Sequence, residues 1–158
     1  MNGKKIIELF EELYPKDLAY DWDNVGLQIG TLNKKINNIL LTLDLTIEVV
    51  EEAIKNNVDL IVVHHPLIFS AIKSINTDTY KGKIIEKLIK SDIALYVAHT
   101  NFDVSSYGMN TILANMLNLN DQEVLELTTE DEGLGKVGTV KSIPMKEYID
   151  FVKNTFKV

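Results

Sequence analysis

The stretch Asp59-Leu60-Ile61-Val62-Val63-His64-His65-Pro66 decides how this chain is read. A short apolar run rich in β-branched residues suits a strand buried on both faces, and Pro66 turns the backbone out of it. A second run, Ile93-Ala94-Leu95-Tyr96-Val97-Ala98, ends in the same way and delivers His99-Thr100-Asn101-Phe102-Asp103. All 3 histidines of the chain therefore stand at the carboxyl ends of predicted strands. Open α/β sheets place their ligand sites at such ends.

The pattern extends outward from these two strands. Ile6, Ile7, Phe10 and Leu13 recur at helical spacing until Pro15 stops them. Val25 to Gly30 alternates as a strand, and Ile39 to Leu43 reads as a buried one. Asp44-Leu45-Thr46 leads into a helix with Val49, Val50, Ala53 and Ile54 on one face, ended by Asn56-Asn57. Between the two histidine-bearing strands a polar loop precedes a helix whose predicted inner face is Ile84, Ile85, Leu88 and Ile89. Short apolar strands alternating with helices predict an α/β fold, a mostly parallel sheet flanked by helices on both faces. Further on, Met109 to Leu117 predicts a helix, Val124 to Leu127 and Lys136 to Lys141 less regular strands, and Met145 to Val152 the opening of a last helix. Phe156 and Val158 alternate like the start of another strand. The expectation is one α/β domain over residues 1–158, forming the amino-terminal part of a longer protein.

Composition narrows the chemistry. With 46% hydrophobic residues over 158 positions the chain can bury a core. A net charge of -7 argues against nucleic acid and anionic membrane as partners, since an acidic face cannot neutralise phosphates. The basic residues are all Lys, so no guanidinium fork is available for bidentate grip on phosphate. Cysteine is absent, which leaves nitrogen and oxygen as the metal ligands. The amino terminus lacks the pattern of a secretion signal and no apolar run approaches membrane-spanning length, so a cytoplasmic location is expected.

His64 and His65 point to opposite faces while the strand stays extended. At the strand end both can face a crevice along diverging directions, which suits two metal ions bridged by a carboxylate or water. Asp103, four residues beyond His99, offers an oxygen ligand. The plainer alternative is that the histidines cap strand ends by hydrogen bonding. Asp44 could orient a ligand histidine or, the favoured role, cap the helix that begins near Thr46. Asp21-Trp22-Asp23-Asn24 could line a pocket or seal an edge. Gly133-Leu134-Gly135-Lys136-Val137-Gly138 has the letters of a dinucleotide fingerprint, but a strand-like segment follows it in place of a helix, so a glycine-rich turn is expected.

Taken in order, Trp22-Asp23-Asn24-Val25-Gly26-Leu27, Leu43-Asp44-Leu45-Thr46, His64-His65-Pro66-Leu67-Ile68-Phe69 and His99-Thr100-Asn101-Phe102-Asp103 resemble the Nif-three-like metal-binding family. Its bacterial members are often labelled GTP cyclohydrolase 1 type 2 homologues. The resemblance implies a two-lobed α/β fold, a dinuclear centre in the cleft and a homo-oligomer, commonly a ring-shaped hexamer. It matches His64, His65 and Asp103 to the family's amino-terminal ligands, with His99 a further ligand or a group that orients one. It also implies a His and a Glu near the carboxyl end of the family's chain, and no histidine follows His99.

Two functions from different classes follow. One is a metal-dependent hydrolase with two divalent ions, Zn, Fe, Mn, Co or Ni, acting on a small nucleotide-like molecule. The other is a metal-binding, metal-delivery or protein-interaction module without turnover. A structural α/β domain with incidental histidines is the plain alternative to both.

Overall fold

The computed structural model describes Met1–Val158 and divides into two compact units, Met1–Asn101 and Phe102–Val158. In the first unit, α1 (Gly3–Leu13) starts at Asn2, whose side chain accepts the Lys4 N–H, and ends before Pro15. Then come β1 (Gly26–Ile29), β2 (Ile39–Thr42), α2 (Ile47–Lys55), β3 (Leu60–Val63), α3 (Tyr80–Lys90) and β4 (Ala94–Val97). The sheet order is β1-β4-β3-β2; β2, β3 and β4 are parallel, and β1 joins β4 antiparallel at the far edge. The mostly parallel α/β sheet expected from the sequence is thus present, built from β-α-β crossovers.

Strand alternation assigns the two faces. Ile61, Val63, Leu95 and Val97 pack with Val50 and Ala53 of α2 and Ile84, Ile85 and Leu88 of α3 in one core. Tyr96, on the opposite face, meets α1: its ring lies 5.8 Å from Phe10 and its hydroxyl donates to Glu11 Oε1 at 2.6 Å. Burial and the neighbouring carboxylate push the Tyr96 phenol far above its ordinary pKa, so it stays a donor.

Coverage of the sheet is less complete than the sequence predicts. Ile39 to Leu43 reads as buried, yet β2 is an edge strand; Leu41, in register with Val62 and so on the Tyr96 face, is 76% exposed. Only β3 and β4 have a strand on each side, and they alone combine full pairing with deep burial. Ile89, expected on the inner face of α3, is also exposed. It directly follows the buried Leu88, and one residue is 100° of helix, enough to leave the core stripe.

In the second unit, α5 (Met109–Met116) is followed by an antiparallel hairpin of β5 (Asn120–Leu127) and β6 (Gly133–Thr139), then by α6 (Met145–Phe156). The short α4 (Thr100–Val104) spans the division between the units. The expected glycine-rich turn at Gly133 to Gly138 is strand. A Cβ at Gly133 would lie 2.1 Å from the Glu126 carbonyl oxygen, so glycine is required there by the partner strand's backbone, and Gly135 takes φ +75. No helix opens at this segment, which agrees with setting aside the dinucleotide fingerprint. The strand expected at Phe156 and Val158 is replaced by the end of α6, where Lys157 adopts a left-handed conformation and donates its N–H to the Lys153 carbonyl. No helix is long and apolar enough to cross a membrane.

Candidate metal centre

Three neighbouring parallel strands end together. Beyond β3 the ladder continues for two residues: the His64 N–H donates to Thr42 O at 3.1 Å and the His65 N–H to Leu43 O at 3.0 Å. On the other side, the Ala98 N–H donates to Val63 O at 3.0 Å and leads into His99. Asp44, His64, His65 and His99 therefore leave the sheet at one edge, two strands' width across.

The imidazoles converge. Ring centroids are 5.0 Å apart for His64 and His65, 5.1 Å for His64 and His99, and 5.8 Å for His65 and His99. One ring nitrogen from each lies within 4.8 Å of the others. The adjacent pair does not splay apart as its alternation in an extended strand suggests: the two rings are inclined at 49° with centroids 5.0 Å apart. His99, which the sequence left as an optional member, belongs fully to this cluster.

Each ring is held by its Nδ1. His64 Nδ1 lies 2.9 Å from the Ala98 carbonyl oxygen, which can only accept, so the proton sits on Nδ1. His65 Nδ1 is 2.7 Å from Asp44 Oδ1. His99 Nδ1 is 3.0 Å from both oxygens of Asp23. An acceptor on each Nδ1 sets the tautomer in which Nε2 is the lone-pair nitrogen, the arrangement by which carboxylates and carbonyls fix ligand histidines. The residues thus fit the metal that the sequence resemblance implies, by the number, kind and tautomer of the donors.

Asp44 does not cap α2; Thr46 does, accepting the Val49 N–H at 3.3 Å. That frees Asp44 for His65. Asp23 is the residue the sequence reading failed to single out. It accepts the Thr100 N–H at 3.1 Å, the Thr100 hydroxyl at 2.5 Å and the Asn24 N–H at 2.8 Å besides His99. Burial works to raise its pKa, but the hydrogen bonds from Thr100, His99 and the Asn24 backbone outweigh it and hold the carboxyl below its ordinary value. The signal was its place between Trp22 and Asn24 in a polar loop, but its partner stands 76 residues away and no local pattern shows that. Asn101, fully buried, steadies the same turn by accepting the His99 N–H and donating to Tyr14 O.

Asp103 lies on α4 in the second unit, where its backbone carbonyl accepts Asn110 Nδ2 at 2.8 Å.

Comparison with known proteins agrees with this reading of the sequence. The profile of the Duf34/NIF3 (NGG1p interacting factor 3) family matches residues 1–158. A GTP cyclohydrolase 1 type 2 homolog of Bacillus subtilis is 52% identical over 131 residues, 83% of this chain and 35% of that protein. One from Methanocaldococcus jannaschii is 39% identical over 154 residues, 97% of this chain and 60% of that protein. Among solved structures, a Bacillus cereus protein related to NIF3 superposes with TM-score 0.79 at 54% identity, over 82% of this chain and 36% of that one. Reduced HcgD from Methanocaldococcus jannaschii does so with TM-score 0.87 at 38% identity, over 98% of this chain and 60% of that one. The chain spans about a third to three-fifths of the length of these relatives. It belongs to the Duf34/NIF3 family.

Proposed function

We propose that this member of the Duf34/NIF3 family binds divalent first-row metal ions through His64, His65 and His99, with Asp103 adding an oxygen ligand. The complete centre is proposed to hold two ions and to hydrolyse a small nucleotide-like substrate. The observation that carries the reading is the convergence of three imidazoles whose Nδ1 atoms all face acceptors. Bound there, the ions would lower the pKa of coordinated water toward neutrality and polarise the bond under attack.

The chain's own residues supply position. Asp23, locked by Thr100, fixes the His99 ring; the Ala98 carbonyl fixes His64; Asp44 aims His65 from the more open side. Imidazole and carboxylate admit Zn, Fe, Mn, Co or Ni, among which geometry and supply decide. The relatives' name points to GTP cyclohydrolase chemistry, but residues 1–158 supply no guanidinium fork for a triphosphate, so metal-dependent hydrolysis is the firmer part. Assembly as a homo-oligomer, a hexamer by resemblance, goes with this reading.

One observation favours the non-catalytic alternative of metal binding or delivery. Asp23 and Asp44, two carboxylates that touch the cluster, already accept from imidazoles, so neither of them is poised to take a substrate proton.

The test is metal content and turnover of the protein loaded with each candidate ion, assayed on GTP ring opening, phosphoesters and amides. The hydrolase reading expects turnover that Asp103→Ala abolishes. Metal binding without turnover on any substrate would favour delivery, and turnover unchanged in Asp103→Ala would place the activity elsewhere.

A further inference from the structure

We infer that Tyr20, Trp22 and Phe69 form a binding shelf for a planar nitrogen heterocycle beside the histidine cluster, gripping the ligand by its ring and not by a phosphate. The inference deepens the proposed function by naming the substrate's recognition group. The Tyr20 and Trp22 rings stack at 5.5 Å and 11°. Phe69 lies 5.7 Å from Trp22, and Trp22 stands edge-on to His99 at 6.3 Å. A ring on this shelf is therefore within reach of a group held at the imidazoles.

The shelf is open to solvent yet firmly anchored. Trp22 is 56% and Phe69 50% exposed, so two large rings face water next to a polar cluster. Loose loops expose aromatics by chance, but here the backbone on both sides is tied. The Tyr20 N–H donates to Thr100 Oγ1 at 3.2 Å, and the side chain of Asp23, adjacent to Trp22, is fully buried. On the other loop, Gln28 brackets Ile68: its Oε1 accepts the Ile68 N–H and its Nε2 donates to the Ile68 carbonyl, both at 2.8 Å. Asn24 Nδ2 donates to the same carbonyl. Gln28 thus acts as a positioning residue that sets Phe69 against Trp22. Rings fixed in place before binding lose little entropy on stacking, which is what a recognition surface requires. With Lys as the chain's only strong cation, the aromatic face is the more selective handle.

Trp22 is the chain's 1 tryptophan, so its emission reports the shelf directly. The experiment titrates the metal-free chain in EDTA with guanosine, and with ribose 5-phosphate as a ring-free control. Saturable quenching by guanosine alone is expected. Phe69→Leu should weaken it about tenfold, in line with the loss of one stacking partner. Gln28→Leu should also weaken it, without removing any ring. Trp22→Leu, followed by equilibrium dialysis of labelled guanosine, should lose binding. Quenching that never saturates, equal quenching by ribose 5-phosphate, or Phe69→Leu binding as tightly as the parent would each overturn the inference. Because the titration is metal-free, a failed metal reading leaves the shelf intact, and a failed shelf leaves the metal reading intact.

Discussion

His99 with Asp23 and His65 with Asp44 are the same chemical pair placed in two solvents. The first is enclosed, with side-chain exposures of 17% and 0%; the second lies open, at 49% and 63%. Their contacts are similar in length, 3.0 Å against 2.7 Å. The difference lies in what else each carboxylate does. Asp23 accepts from Thr100 and Asn24 as well, so it ties the Trp22 loop to the end of β4. Asp44 aims one ring while water competes for the same oxygen. Burial, more than distance, separates a group that builds the site from one that trims it.

Deleting the buried carboxylate should have the largest effect. Asp23→Ala leaves the Thr100 and Asn24 amides, the Thr100 hydroxyl and His99 Nδ1 without their acceptor. The expected cost is about 3 kcal/mol in denaturant unfolding, with metal affinity down by about 10- to 100-fold. Asp44→Ala should cost about 0.5 kcal/mol or less, because an exposed pair is worth little, and should reduce metal affinity by less than the Asp23 change. Equal losses from the two substitutions would erase the distinction.

Histidine tautomers sharpen it further. Nitrogen-15 spectra of the metal-free protein near pH 8 should show all three imidazoles as the Nδ1–H form. An Nε2–H signal from His65 alone would mean that water has displaced Asp44. The same signal from His64 or His99 would contradict the geometry at the Ala98 carbonyl or at Asp23.

The smallest effect concerns a carboxylate at the opposite end of the same strands. Asp59 Oδ2 accepts the Asn37 and Asn38 N–H groups at 2.7 and 3.0 Å, bonds that hold its pKa below the ordinary value. A lowered folded-state pKa gives stability that is present above the unfolded pKa, about 4, and is lost as pH falls through the folded one. The wild type's advantage over Asp59→Asn in urea midpoint should therefore be constant near neutrality and shrink below about pH 4. An advantage that grows on acidification would reverse the sign.

The strands that carry the histidines were legible because β3 and β4 are paired on both sides, so composition and burial coincide. β2 has the same apolar letters, Ile39-Leu40-Leu41, but lies at the edge, and position in the sheet is not written in a strand's own residues. Gly133 was read as a turn because its need comes from a partner strand, not from its neighbours in sequence. Of the candidate site, the three imidazoles were legible from His64, His65 and His99 at strand ends. Of their holders, Asp23 was not legible and Asp44 only as the less favoured of two roles, since each meets its histidine across a gap of 76 or 21 residues that only the folded sheet closes. For Asp44 a strong local competitor, helix capping, misled; Thr46 two residues on takes that role.

The most direct test is a Co²⁺ titration of the chain, followed by visible absorption, beside His64→Ala, His65→Ala and His99→Ala. The three converging imidazoles should bind the ion with an imidazole-ligated spectrum, and each substitution should weaken binding by tenfold or more. Unchanged affinity in all three variants would show that the histidine cluster is not a metal centre.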